Sequence, residues 1–184
     1  MSPRFKLRTA NLSDADALHE LIALSVRGLM PQAYTAAQLE LALGNWLGLD
    51  TQLILDGTYF IVETTEDMLV GCGGWSKRKT PYGSDHRANR EDELLDPATE
   101  AAKIRAFFVH PDFARQGIGK MLLEASETAA IRAGFKCLEM GATLTGVPLY
   151  ERFGYTTGER VDLPLGDGQV LPIVKMEKKI TQNG

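Results

Sequence analysis

Along the chain, Phe5-Lys6-Leu7-Arg8 alternates apolar and cationic side chains, which predicts a strand with one buried face. Leu18, Leu21, Ile22, Ser25 and Leu29 then recur at helical spacing. Ser13-Asp14-Ala15-Asp16 precedes them with the spacing of a capping box, and Pro31 closes the helix. Leu39, Ala42, Leu43 and Trp46 predict a second helix from Thr35 to near Gly48. Tyr59-Phe60-Ile61-Val62 is aromatic and β-branched and reads as a strand. Thr64-Thr65-Glu66-Asp67 reads as a hairpin turn, and Met68 to Trp75 as the returning strand.

From Ser76 to Glu100 the periodicity stops. Lys/Arg, Asp/Glu, Pro81, Gly83 and Pro97 predominate, and the stretch reads as a long surface excursion, either a solvated loop or a substrate lid. Order returns with a strand over Lys103–Val109 and a turn at Pro111-Asp112-Phe113. Ile118, Met121, Leu122, Ala125, Ala129 and Arg132 trace a helix face that ends at Gly134. A strand over Phe135–Met140 follows, then a short helix from Val147 to Phe153 stopped by Gly154. Tyr155-Thr156 and Val170–Lys178 supply the last strands, separated by a Pro/Gly-rich loop at Pro164–Gly168. The order β-α-α-β-β, loop, β-α-β-α-β-β predicts a mixed α/β fold around one sheet, with residues 1–184 as a single domain.

Composition narrows the function classes. The 184 residues carry a formal net charge of -4 and 44% hydrophobic side chains, as expected of a globular chain that needs no staples. The acidic balance speaks against a nucleic-acid binder or an anionic-membrane binder. No stretch is long and apolar enough for a membrane span, and Met1–Lys6 lacks a signal-peptide core, so a cytoplasmic location is expected. Cys72 and Cys137 lie in apolar strands and read as core residues. Two cysteines supply neither a disulfide framework nor a four-thiolate site, and no metal is expected.

The chemistry is concentrated in Phe107-Phe108-Val109-His110-Pro111-Asp112-Phe113-Ala114-Arg115-Gln116-Gly117-Ile118-Gly119-Lys120. A strand ends, a short turn follows, and two glycines open a helix. A helix N-terminus offers unpaired N–H groups and the positive end of the macrodipole, and glycines let a phosphate approach them. Arg115 and Lys120 add charge. The same glycines also suit a plain strand-to-helix turn. No Walker loop is present, and the third glycine of a dinucleotide fingerprint is missing.

This segment resembles the pyrophosphate loop, [QR]-x-x-G-x-[GA], of the GNAT superfamily of acyl-CoA-dependent N-acyltransferases. Thr143-Leu144-Thr145-Gly146-Val147-Pro148-Leu149-Tyr150-Glu151-Arg152-Phe153-Gly154-Tyr155 resembles that family's later helix and its Tyr…Phe-Gly-Tyr ending. The first loop position, usually Gln or Arg, is Ala114 here, beside Arg115. Thr143 to Thr145 occupy the place where many members carry an Asn. The resemblance implies a mostly antiparallel sheet of six to seven strands, about four helices and a splayed central strand pair. It implies acetyl-CoA as co-substrate, with the pantetheine arm along Phe107, Phe108 and Val109 and the pyrophosphate on the amides of Arg115, Gln116, Gly117, Ile118, Gly119 and Lys120. It also implies a primary amine as acceptor, either a small molecule or a protein N-terminus. A homodimer is left open.

Within that reading Tyr150 is the general acid for the leaving thiolate, since a phenol keeps its proton at neutral pH. Glu139 is the candidate base, with a plain strand carboxylate or water as the alternatives. His110 has a suitable pKa but reads as a turn residue. Trp75 and Tyr82 are candidates for the acceptor pocket, and Trp75 also suits simple packing on the sheet. A longer acyl-CoA and a non-catalytic CoA-binding module remain as alternatives.

Overall fold

A computed structural model describes residues 4–181. Met1–Pro3, part of the segment read as lacking a signal core, lie outside the described residues. One seven-stranded sheet has the order β1-β2-β3-β4-β5-β7-β6. Its strands are β1 (Phe5–Thr9), β2 (Tyr59–Thr64), β3 (Leu69–Ser76), β4 (Ala102–Val109), β5 (Cys137–Thr143), β6 (Thr156–Gly166) and β7 (Gln169–Lys179). Every neighbouring pair is antiparallel except β4 and β5. The helices are α1 (Ala15–Leu29), α2 (Ala36–Ala42), α3 (Thr51–Leu55), α4 (Ile118–Arg132) and α5 (Val147–Arg152). The expected mixed α/β, mostly antiparallel architecture is observed. Among the described residues no helix is long and apolar enough to cross a membrane.

Two apolar layers hold the sheet. Leu18, Ile22 and Val26 of α1 and Leu39 of α2 pack with Ile61, Phe108 and Ile173 on one face. Leu123 and Ala130 of α4 pack with Ile104, Leu138 and Met176 on the other. The buried stripe of α4 is Ile118, Leu122, Leu123, Ser126 and Ala130, about one position round from the expected face, and Arg132 is exposed. Gly71 on β3 leaves room for Ile118, since a Cβ there would stand 2.4 Å from the Ile118 Cγ2.

Several local expectations are revised. The box that opens the first helix is built two residues earlier, where Asn11 N–H donates to Asp14 Oδ2 at 2.8 Å. Arg8 grips the same carboxylate at 2.8 and 2.9 Å and holds it below the usual carboxylate range. The second helix stops at Ala42 rather than near Gly48. Leu43 is extended and Gly44 turns at φ +78°, so Trp46 leaves the helix face. An additional helix, α3, follows, capped by Asp50 Oδ1 on Gln52 N at 3.0 Å.

The expected loop at 164–168 is mostly strand. β6 runs to Gly166 and turns on Asp167 (φ 51°) and Gly168 (φ 72°). Two consecutive left-handed residues match the right-handed twist of a hairpin. Pro164 is tolerated because β6 is the sheet edge.

Candidate active site

β4 and β5 are in register only at Ala102↔Leu138 and Lys103↔Glu139. Beyond those pairs they diverge, and the β5-facing edge of β4 is free to take another partner. β4 also carries a bulge. Its ladder with β3 steps from Phe108↔Cys72 to Arg105↔Gly74, which leaves Ala106 and Phe107 out of register. Ala106 has φ 56°, a left-handed conformation uncommon for alanine, worth roughly 1–3 kcal/mol of strain. The fully buried Tyr59 holds it there, its hydroxyl donating to Ala106 O at 2.8 Å. Opposite the bulge, a Cβ on Gly73 would stand 2.4 Å from the Phe107 ring, so glycine admits that ring against β3.

The turn from β4 into α4 forms a cradle. His110 Nδ1 accepts from Asp112 N at 3.2 Å and caps the short 3-10 turn Pro111–Phe113. His110 therefore serves the turn. Arg115 (φ 64°) and Gly117 (φ 87°) are both left-handed, a pattern that curls successive amides toward one concavity. The Ala114 amide donates to Pro111 O at 3.2 Å, and the next amide that finds an acceptor is Met121, on Gly117 O at 3.0 Å. Between them, from Arg115 through Lys120, the backbone N–H groups find no acceptor among the described residues. A Cβ on Gly117 would meet nothing within 4 Å, whereas one on Gly119 would stand 3.0 Å from the Leu149 Cδ2. Of the strand residues expected to line the pantetheine arm, Val109 already uses its N–H on Ser25 Oγ at 3.1 Å.

The cleft between the diverging strands is lined by residues that include Arg105, Phe107, Met140, Thr143 and Tyr150. Tyr150 is 8% exposed, with its ring edge-on to Phe107 at 6.1 Å. Burial alone pushes its phenol above the usual value, with no neighbouring charge contributing. Glu139 lies where the strands part, paired with Lys103, and is not among the lining residues.

The 76–100 segment runs over the surface, as expected, with much of 85–99 exposed, but it is anchored to the core. Thr80, Gly83, Ser84 and Leu95 are buried. Arg105, 3% exposed, donates to Thr80 O at 2.9 Å, Gly83 O at 2.8 Å and Asp50 Oδ2 at 2.9 Å. Arg90 grips both oxygens of Asp50 at 2.9 Å. Burial pulls the Arg105 pKa down and Asp50 pulls it back up. Tyr82, held by this cluster, lines the cleft with Trp46. Trp75 does not line it; it is buried edge-on against Phe135 at 5.8 Å. Cys72 is a core residue, its thiol pushed by burial to about 12, while Cys137 is only half-buried.

No local pattern in the sequence marks Asp50, Arg90, Arg105, Tyr59 or the Ala106 bulge, because each acts through partners far along the chain. The nearest signal is the crowding of arginines in a segment without periodicity.

A sheet that opens beside a cradle of unpaired amides defines an acyltransferase fold of the GNAT type. The Acetyltransferase (GNAT) domain model matches residues 56–157, and the chain belongs to this family. Among solved structures, a GCN5-related N-acetyltransferase from Rhodopseudomonas palustris superposes with TM-score 0.71 at 20% identity, covering 98% of each chain. The PaiA N-acetyltransferase of Thermoplasma acidophilum in complex with coenzyme A gives 0.65 at 15% identity, covering 97% of this chain and 99% of that one. The yncA protein of Salmonella typhimurium with acetyl-CoA gives 0.63 at 16% identity, covering 99% and 97%. At these identities the likeness is one of fold. No match was found among curated proteins.

Proposed function

We propose that this protein is an N-acetyltransferase that moves the acetyl group of acetyl-CoA to a primary amine by direct attack on the thioester. The observation that carries the reading is the run of acceptor-free amides from Arg115 through Lys120 at the mouth of α4, beside the free edge of β4. Such a concavity suits a pyrophosphate. The free edge of β4 at Phe107 and Phe108 suits an extended pantetheine arm laid beside it like an added strand.

In the transfer, the neutral amine nitrogen bonds to the thioester carbonyl carbon and the C–S bond breaks. The amine loses one proton and the thiolate gains one, leaving an amide and a free thiol. Backbone N–H groups at the Ala106–Phe107 bulge are off the β3 ladder and are our candidates for stabilising the oxyanion. Tyr150 is the acid: its burial in the cleft wall keeps the phenol protonated until a thiolate forms beside it. Glu139, held by Lys103 where the strands part, is the candidate base, with water in the cleft as the alternative. An acetyl-CoA-dependent reaction fits the cytoplasmic location expected from the sequence.

Thiol release from acetyl-CoA with an amine panel tests the reading. Tyr150→Phe is expected to lower kcat about a hundredfold while acetyl-CoA affinity is retained. Wild-type protein that binds acetyl-CoA and releases no thiol with any amine would make it a binding module instead. An unchanged kcat in Tyr150→Phe would remove the acid role.

A further inference from the structure

The acceptor end of the cleft is closed in a way that bears on what can enter it. Three side chains from the α1–α3 region reach across to the β6–β7 hairpin. Tyr34 Oη donates to Pro172 O at 2.7 Å, Gln38 Nε2 to Val170 O at 2.9 Å, and Trp46 Nε1 to Pro164 O at 2.7 Å. The Tyr34 hydroxyl also accepts from Leu144 N at 2.8 Å, tying the end of β5 into the same seam. A polypeptide lying extended across this end would have to break that seam.

Beside this seam the cleft is roofed by Tyr82. Its ring fills the space left by Gly141 on β5, where a Cβ would stand 2.7 Å from the Tyr82 Cδ1. The ring thus spans the gap where β4 and β5 have parted. It meets Trp46 with centroids 5.8 Å apart. Arg87 stacks on both rings, 4.2 Å from Trp46 and 5.4 Å from Tyr82, and donates to Tyr82 O at 2.8 Å. The segment carrying Tyr82 is fixed from beneath, with Ser84 bonded to Gly44 O and Asn45 O, both at 2.7 Å, and Arg105 bonded to Thr80 O and Gly83 O.

Within this mouth Met30, Trp46, Pro81, Tyr82 and Phe108 contribute apolar or aromatic side chains, beside the polar Thr143 and Arg105. Resting on the acetyl-transfer reading above, we propose that the acceptor is a small-molecule primary amine with an apolar or flat body next to its nitrogen. Tyr82, seated on Gly141, is the residue that selects it against polypeptide amines.

The test compares kcat/KM, by thiol release from acetyl-CoA, across small aliphatic and aromatic amines, amino sugars, hexapeptides with free N-termini and lysine-containing hexapeptides. Wild-type protein should favour the best small apolar amine over every peptide by about tenfold or more. Tyr82→Ala should raise KM for that amine more than it changes kcat and narrow the preference over peptides at least about fivefold. Tyr82→Phe should keep the preference. Acetyl-CoA affinity by calorimetry and the melting midpoint of Tyr82→Ala report whether the effect is confined to the acceptor side. A peptide or an amino sugar as the best wild-type acceptor would overturn the assignment, as would a preference unmoved by Tyr82→Ala. If no acceptor of any kind releases thiol while acetyl-CoA still binds, the transferase reading itself falls and takes this one with it.

Discussion

Asp50→Asn replaces one oxygen of a carboxylate that serves two guanidinium groups. Asp50 and Arg105 have side chains 1% and 2% exposed, and Arg90 is 17% exposed. In the native protein these three carry a net charge of +1, from two cations and one anion. The variant raises that to +2 with no new solvent contact, and it points an amide NH₂ at a guanidinium. Breaking a buried ion pair by removing one partner costs about 3–5 kcal/mol. The helix cap survives, because the remaining amide oxygen can still accept from Gln52 N. Against a typical total of about 5–15 kcal/mol, the loss is large but leaves folded protein to measure.

Urea titration followed by far-UV circular dichroism gives the readout. With a slope of about 1–3 kcal/mol/M, the midpoint should fall by at least about 1 M. Adding Arg90→Gln to Asp50→Asn restores the cluster to +1. The double variant should therefore be destabilised less than the sum of the singles, by about 1 kcal/mol or more. A single-variant loss below about 1 kcal/mol, or strict additivity, would refute the reasoning and mean that the cluster is effectively hydrated.

Gly117→Val should weaken acetyl-CoA binding about tenfold or more in a calorimetric titration, because a β-branched residue resists the left-handed turn that aims the cradle amides; unchanged affinity would remove the loop from the site. Cys72, whose thiol is raised to about 12, should resist iodoacetamide at pH 8 in native protein and react only on unfolding, as counted by mass spectrometry. Rapid native alkylation of Cys72 would mean that the layer under α1 opens locally. Asp56, held below the usual carboxylate range by its hydrogen bonds from Arg78, contributes stability that is present above about pH 4 and lost as pH falls through its lowered value. Asp56→Asn should accordingly flatten the acid limb of the melting curve, and an identical acid limb in both proteins would dismiss the pairing.

Much of the segment from β4 into α4 was legible because its signals are local. The step from Val109 through Pro111 to Gly117 and Ile118 is a strand end, a turn and a helix start, each specified by residues within one turn of one another. The hairpin at Thr64–Asp67 and the helix stop at Gly134 are of the same kind. Misreadings fell where a tertiary contact competes with local preference. Pro164 and Gly166 read as loop, yet an edge strand tolerates both. Trp46 continues the period of α2, yet the turn at Gly44 carries it over the cleft to Pro164. The 76–100 stretch has no period at all, and its order comes from bonds to Asp50, Gly44 and Arg105 that span from about 20 to 40 residues of chain.

By itself the sequence determined the order of the strands and of every helix but α3, the mixed α/β class and the glycine-opened turn into α4, since periodicity, caps and glycines act over a few residues. Only the tertiary structure decided that β4 bulges at Ala106, that Asp50 is shared between Arg90 and Arg105, and that Tyr82 closes over Gly141. Those arrangements pair groups from distant segments, and their energies exist only once burial strips away the water that would otherwise satisfy each group alone.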